Sequence, residues 1–169
     1  MTSGRAFVGT SGWAYASWKP LFYPEGTKSA GFLAYYATRL ATLEVNYTFN
    51  HLPTEKNIAG WKEATPEGFV FALKASQQIT HVRQLRDPAE TVPLFFERAP
   101  SPVETLGTTA PFAYARLRTR PGYSDAEVDA WAARLRPMLE AGKDVYAYFR
   151  HDETGANALS AERLRDALG

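Results

Sequence analysis

The chain has 169 residues, of which 45% are hydrophobic and 14% aromatic, a length typical of one domain with a proper core. It contains no cysteine, which excludes disulfides, thiolate metal sites and a cysteine nucleophile. Nineteen basic residues face eighteen acidic ones, so the chain lacks the basic excess typical of proteins that bind nucleic acid non-specifically.

The N-terminus does not resemble a targeting sequence. Three apolar residues separate Arg5 from Gly9, which is too few for the apolar core of a signal peptide. No apolar run approaches the roughly 20 residues that cross a membrane as a helix. The sequence therefore predicts a cytoplasmic protein that does not bind a membrane.

The first half of the chain alternates short apolar runs with segments of helical spacing. Ser29 and Thr54 are the predicted caps of two helices, the second of which would bury Ile58 and Trp61. The third apolar run is apolar nearly throughout, which predicts a strand covered on both faces. The predicted strands are residues 5–10, 42–46 and 69–74, the predicted helices are 29–40 and 55–64, and residues 77–85 form a predicted loop.

The second half begins less regularly. Asp87 followed by Pro88 predicts a helix to about Arg98, and the proline-containing residues 100–111 predict a linker. Ser124 with Glu127 forms a capping box at the start of a later helix. The predicted strands are residues 112–117 and 144–149, and the predicted helices are 124–141, burying Val128, Trp131, Leu135, Met138 and Leu139, and 156–168.

Strands that alternate with helices predict an α/β fold around a parallel sheet. Charged and polar side chains lie toward the C-terminal end of each later strand, which is where parallel α/β proteins bind ligands. Basic groups outnumber acidic ones at this edge, which favours an anionic ligand such as a phosphate or carboxylate. These side chains are Glu44, Asn46, Lys74, Arg116, Arg118, Tyr148 and Arg150.

A purely structural interpretation of these charges also fits the sequence. Glu44 can form a buried ion pair with Lys74 or Arg116, and such a pair needs no ligand. The three histidines, His51, His81 and His151, follow strands without a metal-ligating spacing, which predicts solvated loop histidines and no metal site.

The loop after the first strand carries a serine and several aromatic residues. Ser11 lies in G-T-S-G and not in G-x-S-x-G, which argues against a serine hydrolase. The aromatic residues are expected to pack over the mouth of the sheet, and a stacking platform for a base or sugar is the alternative. They are Trp13, Tyr15, Trp18 and Tyr23.

An ordered set of motifs runs from G-T-S-G-W-x-Y-x-x-W near the N-terminus to D-V-Y-A-Y-F near the C-terminus, and together these motifs resemble the YecE-like family, also called domain of unknown function 72. The set begins with G-T-S-G-W-x-Y-x-x-W at residues 9–18 and F-Y-P-E-G at 22–26. It continues with L-E-V-N-Y-T-F at 43–49 and G-F-V-F-A-L-K-A-S at 68–76. F-A-Y-A-R-L at 112–117 and D-V-Y-A-Y-F at 144–149 resemble the last two strands of the family.

The resemblance implies a TIM-barrel-like fold and no established activity. The chain departs from the family at Arg118-Thr119, where His-Gly is usual, and at Arg150-His151, where Asn-Asn is usual. The family motif residues correspond to Thr10, Ser11, Trp13, Tyr15, Glu44, Asn46, Lys74, His81, Arg116 and Tyr148.

The resemblance also implies that the middle of the barrel is missing, because a complete eight-stranded barrel takes about 250 residues. By this resemblance, the chain has no segment that corresponds to the fourth, fifth or sixth strand of the family's barrel. The expected fold is one truncated domain over residues 1–169, with five parallel strands in the barrel order 7-8-1-2-3. Residues 1–99 would hold the first three units, 100–111 a linker, and 112–169 the last two.

The sequence is compatible with three functions. The first is a small-molecule enzyme or binding protein in which Glu44 is a general base or ligand anchor and Lys74 and Arg116 hold an anion, without a cofactor. The further ligand-binding candidates are Thr10, Ser11, Trp13, Tyr15, Asn46, His81, Arg118, Tyr148 and Arg150.

The second function is that of a catalytically degenerate member acting through oligomeric contacts. Whatever the function, the exposed sheet edges or inner faces predict a homodimer, and a monomer covered by the linker or the 87–98 helix is the alternative. The third is nucleic-acid processing, which rests on analogy between folds. The near-neutral charge argues against the third unless several arginines form one patch. The arginines concerned are Arg83, Arg86, Arg116, Arg118, Arg120 and Arg150.

Overall fold

A computed structural model of the chain describes residues 3–82, 112–119 and 122–169. The strands of the described part are β1 (Ala6–Ser11), β2 (Thr42–Val45), β3 (Val70–Leu73), β4 (Phe112–Leu117) and β5 (Asp144–Arg150). The helices are α1 (Phe32–Arg39), α2 (Tyr47–Asn50), α3 (Glu55–Glu63), α4 (Asp125–Glu140) and α5 (Ala156–Leu168). Within these residues, no helix is both long enough and apolar enough to span a bilayer.

The five strands form one parallel sheet in the order β3-β2-β1-β5-β4. This confirms the predicted order of five parallel strands in an α/β fold. The central strand β1 approaches β2 closely, because a Cβ atom at Gly9 would lie 2.1 Å from the carbonyl oxygen of Thr42. Glycine is therefore required at this position by sterics.

The aromatic loop after β1 is part of the hydrophobic core. Trp18 and Tyr23 are fully buried, and their rings stack at 5.9 Å. The Trp18 indole donates to the carbonyl oxygen of Asp152 at 2.9 Å, and the Tyr23 hydroxyl donates to that of Trp13 at 2.6 Å. Buried aromatic residues with satisfied polar atoms are packing residues, so the stacking alternative is wrong for Trp18 and Tyr23.

The predicted helix starts at Thr54 and Ser124 are confirmed by their hydrogen bonds, whereas the predicted cap at Ser29 is wrong, because Gly31 occupies the N-cap position of α1 and no side chain caps it. The Thr54 and Ser124 side chains accept from the backbone N–H three residues later, and both form reciprocal capping boxes. Helix α4 buries Val128, Ala132, Leu135 and Leu139, whereas Met138 is 40% exposed and Trp131 half-buried. The prediction for Met138 was wrong because Leu139, one residue and about 100° further round the helix, lies on the buried stripe.

Several other local predictions differ from the structure. Strand β3 is only half-buried along its length, because it forms an edge of the sheet and is not covered on both faces. Ile58 and Trp61 of α3 are likewise half-buried. Residues Gln78–Val82 form a π-helical turn within the predicted loop, and Ser29–Gly31 form a 3-10 turn before α1. The predicted helix at 87–98 and linker at 100–111 lie outside the described residues.

Candidate functional site

Polar side chains gather on the concave face of the sheet, at the C-terminal ends of its strands. Alternation along each strand places Ser11 of β1, Glu44 of β2 and Arg116 of β4 on this face. Ser11 and Glu44 are direct neighbours in the β1–β2 register. Both are buried, with Glu44 only 3% exposed, so their polar atoms must find partners within the protein.

Arg116 is the centre of the resulting network. Its Nη2 atom lies 2.9 Å from Oε1 of Glu44 and donates to Oγ of Ser11 at 2.9 Å and to Oδ1 of Asn46 at 3.3 Å. The Ser11 hydroxyl also accepts from Nδ2 of Asn46 at 2.6 Å and donates to Oε1 of Glu44 at 3.4 Å. The buried ion pair considered from the sequence is therefore the one between Glu44 and Arg116.

The second carboxylate oxygen of Glu44 is held by Tyr114. The Tyr114 hydroxyl donates to Oε2 of Glu44 at 2.5 Å. Burial, and then the hydrogen bond to Glu44 and the charge of that carboxylate, raise the pKa of Tyr114 well above its usual value. Sequence reasoning did not select Tyr114, although it shares a face with Arg116 two residues later, which was the available signal.

These contacts require a strongly curled sheet. Strands β5 and β1 separate β4 from β2, so a flat sheet would hold the two strands roughly 14 Å apart. Tyr114 and Arg116 nevertheless reach Glu44 directly. The concave side is therefore narrow, and the side chains of Tyr114 and Arg116 cross it to contact Glu44 of β2.

A cavity of about 320 Å³ opens beside this network, between the two edge strands. Its residues are Glu44 of β2, Ala72 and Leu73 of β3, Lys74 immediately after β3, and Tyr114 and Arg116 of β4. The cavity therefore lies directly beside the Glu44–Arg116 ion pair.

Two cationic groups at this cavity have unused binding capacity. Nζ of Lys74 lies 3.8 Å from the centre of the Phe49 ring, and no carboxylate of the described residues forms an ion pair with it. Nε of Arg116 is buried and has no hydrogen-bond partner among the same residues. Within residues 3–82, 112–119 and 122–169, the positive charge at the cavity is therefore neutralised only in part.

Two predicted residues lie near the network without lining the cavity. Tyr148 is fully buried on the concave face, where its hydroxyl lies 2.8 Å from Oγ1 of Thr42. Tyr15 reaches the carbonyl oxygen of Ser11 at 3.5 Å and stacks on His151 at 4.7 Å. Burial and then the charge of Glu44 raise the pKa of Tyr15.

His151 and Arg150 lie at the rim beside Tyr15. Burial, followed by the positive charge of Arg150, lowers the pKa of His151 below its usual value. Arg150 is half-buried and pairs with Ser11 in the β1–β5 register.

The structure places the remaining predicted residues elsewhere. Thr10 bonds through its side chain to the Tyr36 hydroxyl of α1, on the convex side. Trp13 packs edge-on against Trp61, and Phe49 contacts the ring of His81. Arg118 is exposed. Of the arginines needed for a nucleic-acid patch, Arg83, Arg86 and Arg120 lie outside the described residues.

Comparison with known proteins identifies the family of the chain. The model of the family "Protein of unknown function DUF72" matches residues 7–108 and 97–169. No curated protein matches the chain. Two crystal structures of a DUF72 family protein (EF0366) from Enterococcus faecalis V583, at 2.52 and 3.10 Å resolution, are similar to it.

The similarity to these structures concerns the fold. The 2.52 Å structure has a TM-score of 0.66 and 13% identity, with 99% of each chain covered. The 3.10 Å structure has a TM-score of 0.67 and 13% identity, with 96% of this chain and 95% of the other covered. Because the family model matches nearly the whole sequence, the chain belongs to the DUF72 family.

Proposed function

We propose that the protein binds a small molecule carrying a phosphate or carboxylate group in the cavity between β3 and β4. The observation that supports this proposal is the charge balance of the cavity, which holds two cations and one carboxylate. That carboxylate, Glu44, is already engaged by Arg116, Ser11 and Tyr114. Lys74 is therefore the charge that a ligand would neutralise.

Lys74 and Arg116 contribute differently to this site. Lys74 offers a flexible point charge, whereas Arg116 offers a planar group whose orientation is fixed by Glu44 and Asn46. The Arg116 side chain is 25% exposed, and a ligand oxygen would accept from that exposed part of the guanidinium. Glu44 acts in this proposal as the anchor of Arg116 and not as a general base, because both of its oxygens are occupied.

The same network argues against Ser11 as a nucleophile. A hydroxyl oxygen has two lone pairs, and those of Ser11 accept from Asn46 and Arg116. Its proton is directed toward Glu44. Ser11 therefore connects β2 to β4 through its hydrogen bonds to Glu44 and Arg116. With its hydroxyl engaged in this way, the site supports binding better than acyl transfer.

The binding proposal is tested by titrating the protein with inorganic phosphate and acetate, followed by NMR chemical shifts and calorimetry. Lys74→Met should weaken anion binding by about 10-fold or more, the value of a charge-assisted hydrogen bond. Lys62→Met, which removes an exposed lysine of α3, is the matched control and should leave binding unchanged. Equal affinity in wild type and Lys74→Met would contradict the proposal.

A second candidate function is self-association through the concave face. Strands β3 and β4 are the two edge strands of the described part of the sheet, and Phe112 and Tyr114 are 44% and 52% exposed. Long apolar edges promote pairing with another chain, and a homodimer would cover them. Light scattering over a wide range of protein concentration tests this candidate, and a monomer throughout would contradict it.

A further inference from the structure

We infer that the ligand of this site carries an aromatic, or similarly flat and apolar, body beside its anionic group. This inference rests on the proposed function, because it concerns the same cavity. The charges alone define the site only as one that binds an anion, and this inference adds the chemical class of the rest of the ligand.

The first observation is the state of Tyr114. Its side chain is 52% exposed at the cavity, although its hydroxyl is fixed by the 2.5 Å hydrogen bond to Glu44. The ring also packs against that of Tyr148, with the centroids 5.6 Å apart. An exposed ring whose orientation is already set is a preorganised stacking surface, because little side-chain entropy remains to be lost on binding.

The second observation is the lack of spare polar groups elsewhere in the lining. Ala72 and Leu73 form the opposite wall and offer no side-chain hydrogen bond. Phe112, two residues before Tyr114 on the same face of β4, extends the apolar surface and is 44% exposed. A flat ring would bury apolar surface against these side chains, whereas the hydroxyl groups of a polyol or sugar would find no side-chain partner there.

The third observation is the size of the cavity. Its volume of about 320 Å³ lies at the lower end of the range for small-molecule sites. This space suits a single ring with one anionic substituent and not a dinucleotide. The positive groups, Lys74 and Arg116, and the exposed ring of Tyr114 all line this one space.

The inference is tested first in the wild-type protein with matched probes of equal charge. Phenyl phosphate and glycerol 3-phosphate are both phosphate monoesters and differ in their organic body. Phenyl phosphate should bind more tightly by roughly 2- to 10-fold, as expected for one aromatic stacking contact. Equal binding, or tighter binding of glycerol 3-phosphate, overturns the inference and leaves the anion site intact.

Two variants then assign the preference to the ring. Tyr114→Phe keeps the ring and loses the hydrogen bond to Glu44, so the preference for phenyl phosphate should persist. Tyr114→Ala removes the ring, so the affinities for phenyl phosphate and glycerol 3-phosphate should become equal. A preference that persists unchanged in a folded Tyr114→Ala protein, as shown by circular dichroism, overturns the inference.

The proposed function fails in a different way from this inference. If inorganic phosphate, glycerol 3-phosphate and phenyl phosphate all fail to bind the wild-type protein, the anion site itself is wrong, and the ligand class falls with it. If phenyl phosphate binds equally well to wild type and Lys74→Met, the ring is recognised without the anion, which contradicts the proposed function while the stacking contact stands.

Discussion

Two parts of the molecule are built from aromatic and polar residues, and they differ in how completely their polar atoms are satisfied. In the aromatic core, Trp18, Tyr23 and Tyr36 are fully buried, and each polar atom has a partner inside the protein. On the concave face, Tyr114 is half-exposed and Arg116 retains an unbonded Nε among the described residues. The first region is complete in itself, whereas the second has capacity left for another molecule.

The comparison separates two kinds of aromatic residue that look alike in the sequence. A buried ring with an internal hydrogen bond contributes to the free energy of unfolding. An exposed ring that is fixed at the edge of a charged cavity contributes little to stability and is suited to recognition. Mutations in the two regions should therefore affect different properties, and the following experiments measure that difference.

The largest effect is expected for Trp18→Ala. This change removes a fully buried ring and its hydrogen bond to Asp152, and should lower the free energy of unfolding by about 3–5 kcal/mol. Trp131→Ala is the matched control, because Trp131 is only half-buried on α4, and should cost clearly less. Urea unfolding measures both, and equal losses would show that the aromatic loop is not a core element.

The next effect concerns the two cations of the cavity. Arg116→Met leaves the buried Glu44 carboxylate without its ion pair and should cost about 3 kcal/mol. As far as the described residues go, Lys74→Met loses the contact with the Phe49 ring alone and should cost about 0.5–1 kcal/mol. Urea unfolding measures both free energies.

The Arg116 result has its own control within the network. In the background of Glu44→Gln, Arg116→Met should cost much less, because the buried charge is then absent. If Lys74→Met destabilises the protein as strongly as Arg116→Met, Lys74 is a structural residue, and the division between the two cations is wrong.

The smallest effect is a difference in the dependence of stability on alkaline pH. Burial raises the pKa of Tyr36 and of Tyr114 above the usual value of 10 in the folded protein. The folded state therefore retains protons that the unfolded state releases, so stability is lost as the pH rises above 10.

Phenylalanine substitutions assign this pH dependence to each region. Tyr36→Phe should reduce the slope above pH 10 by about 1.4 kcal/mol per pH unit, because Tyr36 is fully buried. Tyr114→Phe should remove a similar slope over a narrower pH range, because solvent screening keeps the folded pKa of a half-exposed group closer to its usual value. Thermal melts in alkaline buffers measure both slopes, and a larger change for Tyr114→Phe would reverse the comparison.

Much of the fold could be predicted from the sequence, because strand–helix alternation and the family motifs determine the strand order. Glu44 and Arg116 could also be placed on one face of the sheet, because side chains along a strand point alternately to its two faces. Alternation does not give the curl of the sheet, so the hydrogen bond from Tyr114 to Glu44 could not be predicted. Met138 illustrates the same limit in a helix, where hydrophobicity alone did not locate the centre of the buried stripe.

The position of the cavity has a consequence for the mechanics of the sheet. One wall comes from residues 72–74 and the other from residues 114–116, which belong to or follow the two edge strands of the described sheet. A ligand that contacts both walls acts as a non-covalent cross-link between the first and last parts of the chain. At 100 times its dissociation constant, it would stabilise the fold by about 2.7 kcal/mol, and amide exchange should slow first in the two edge strands.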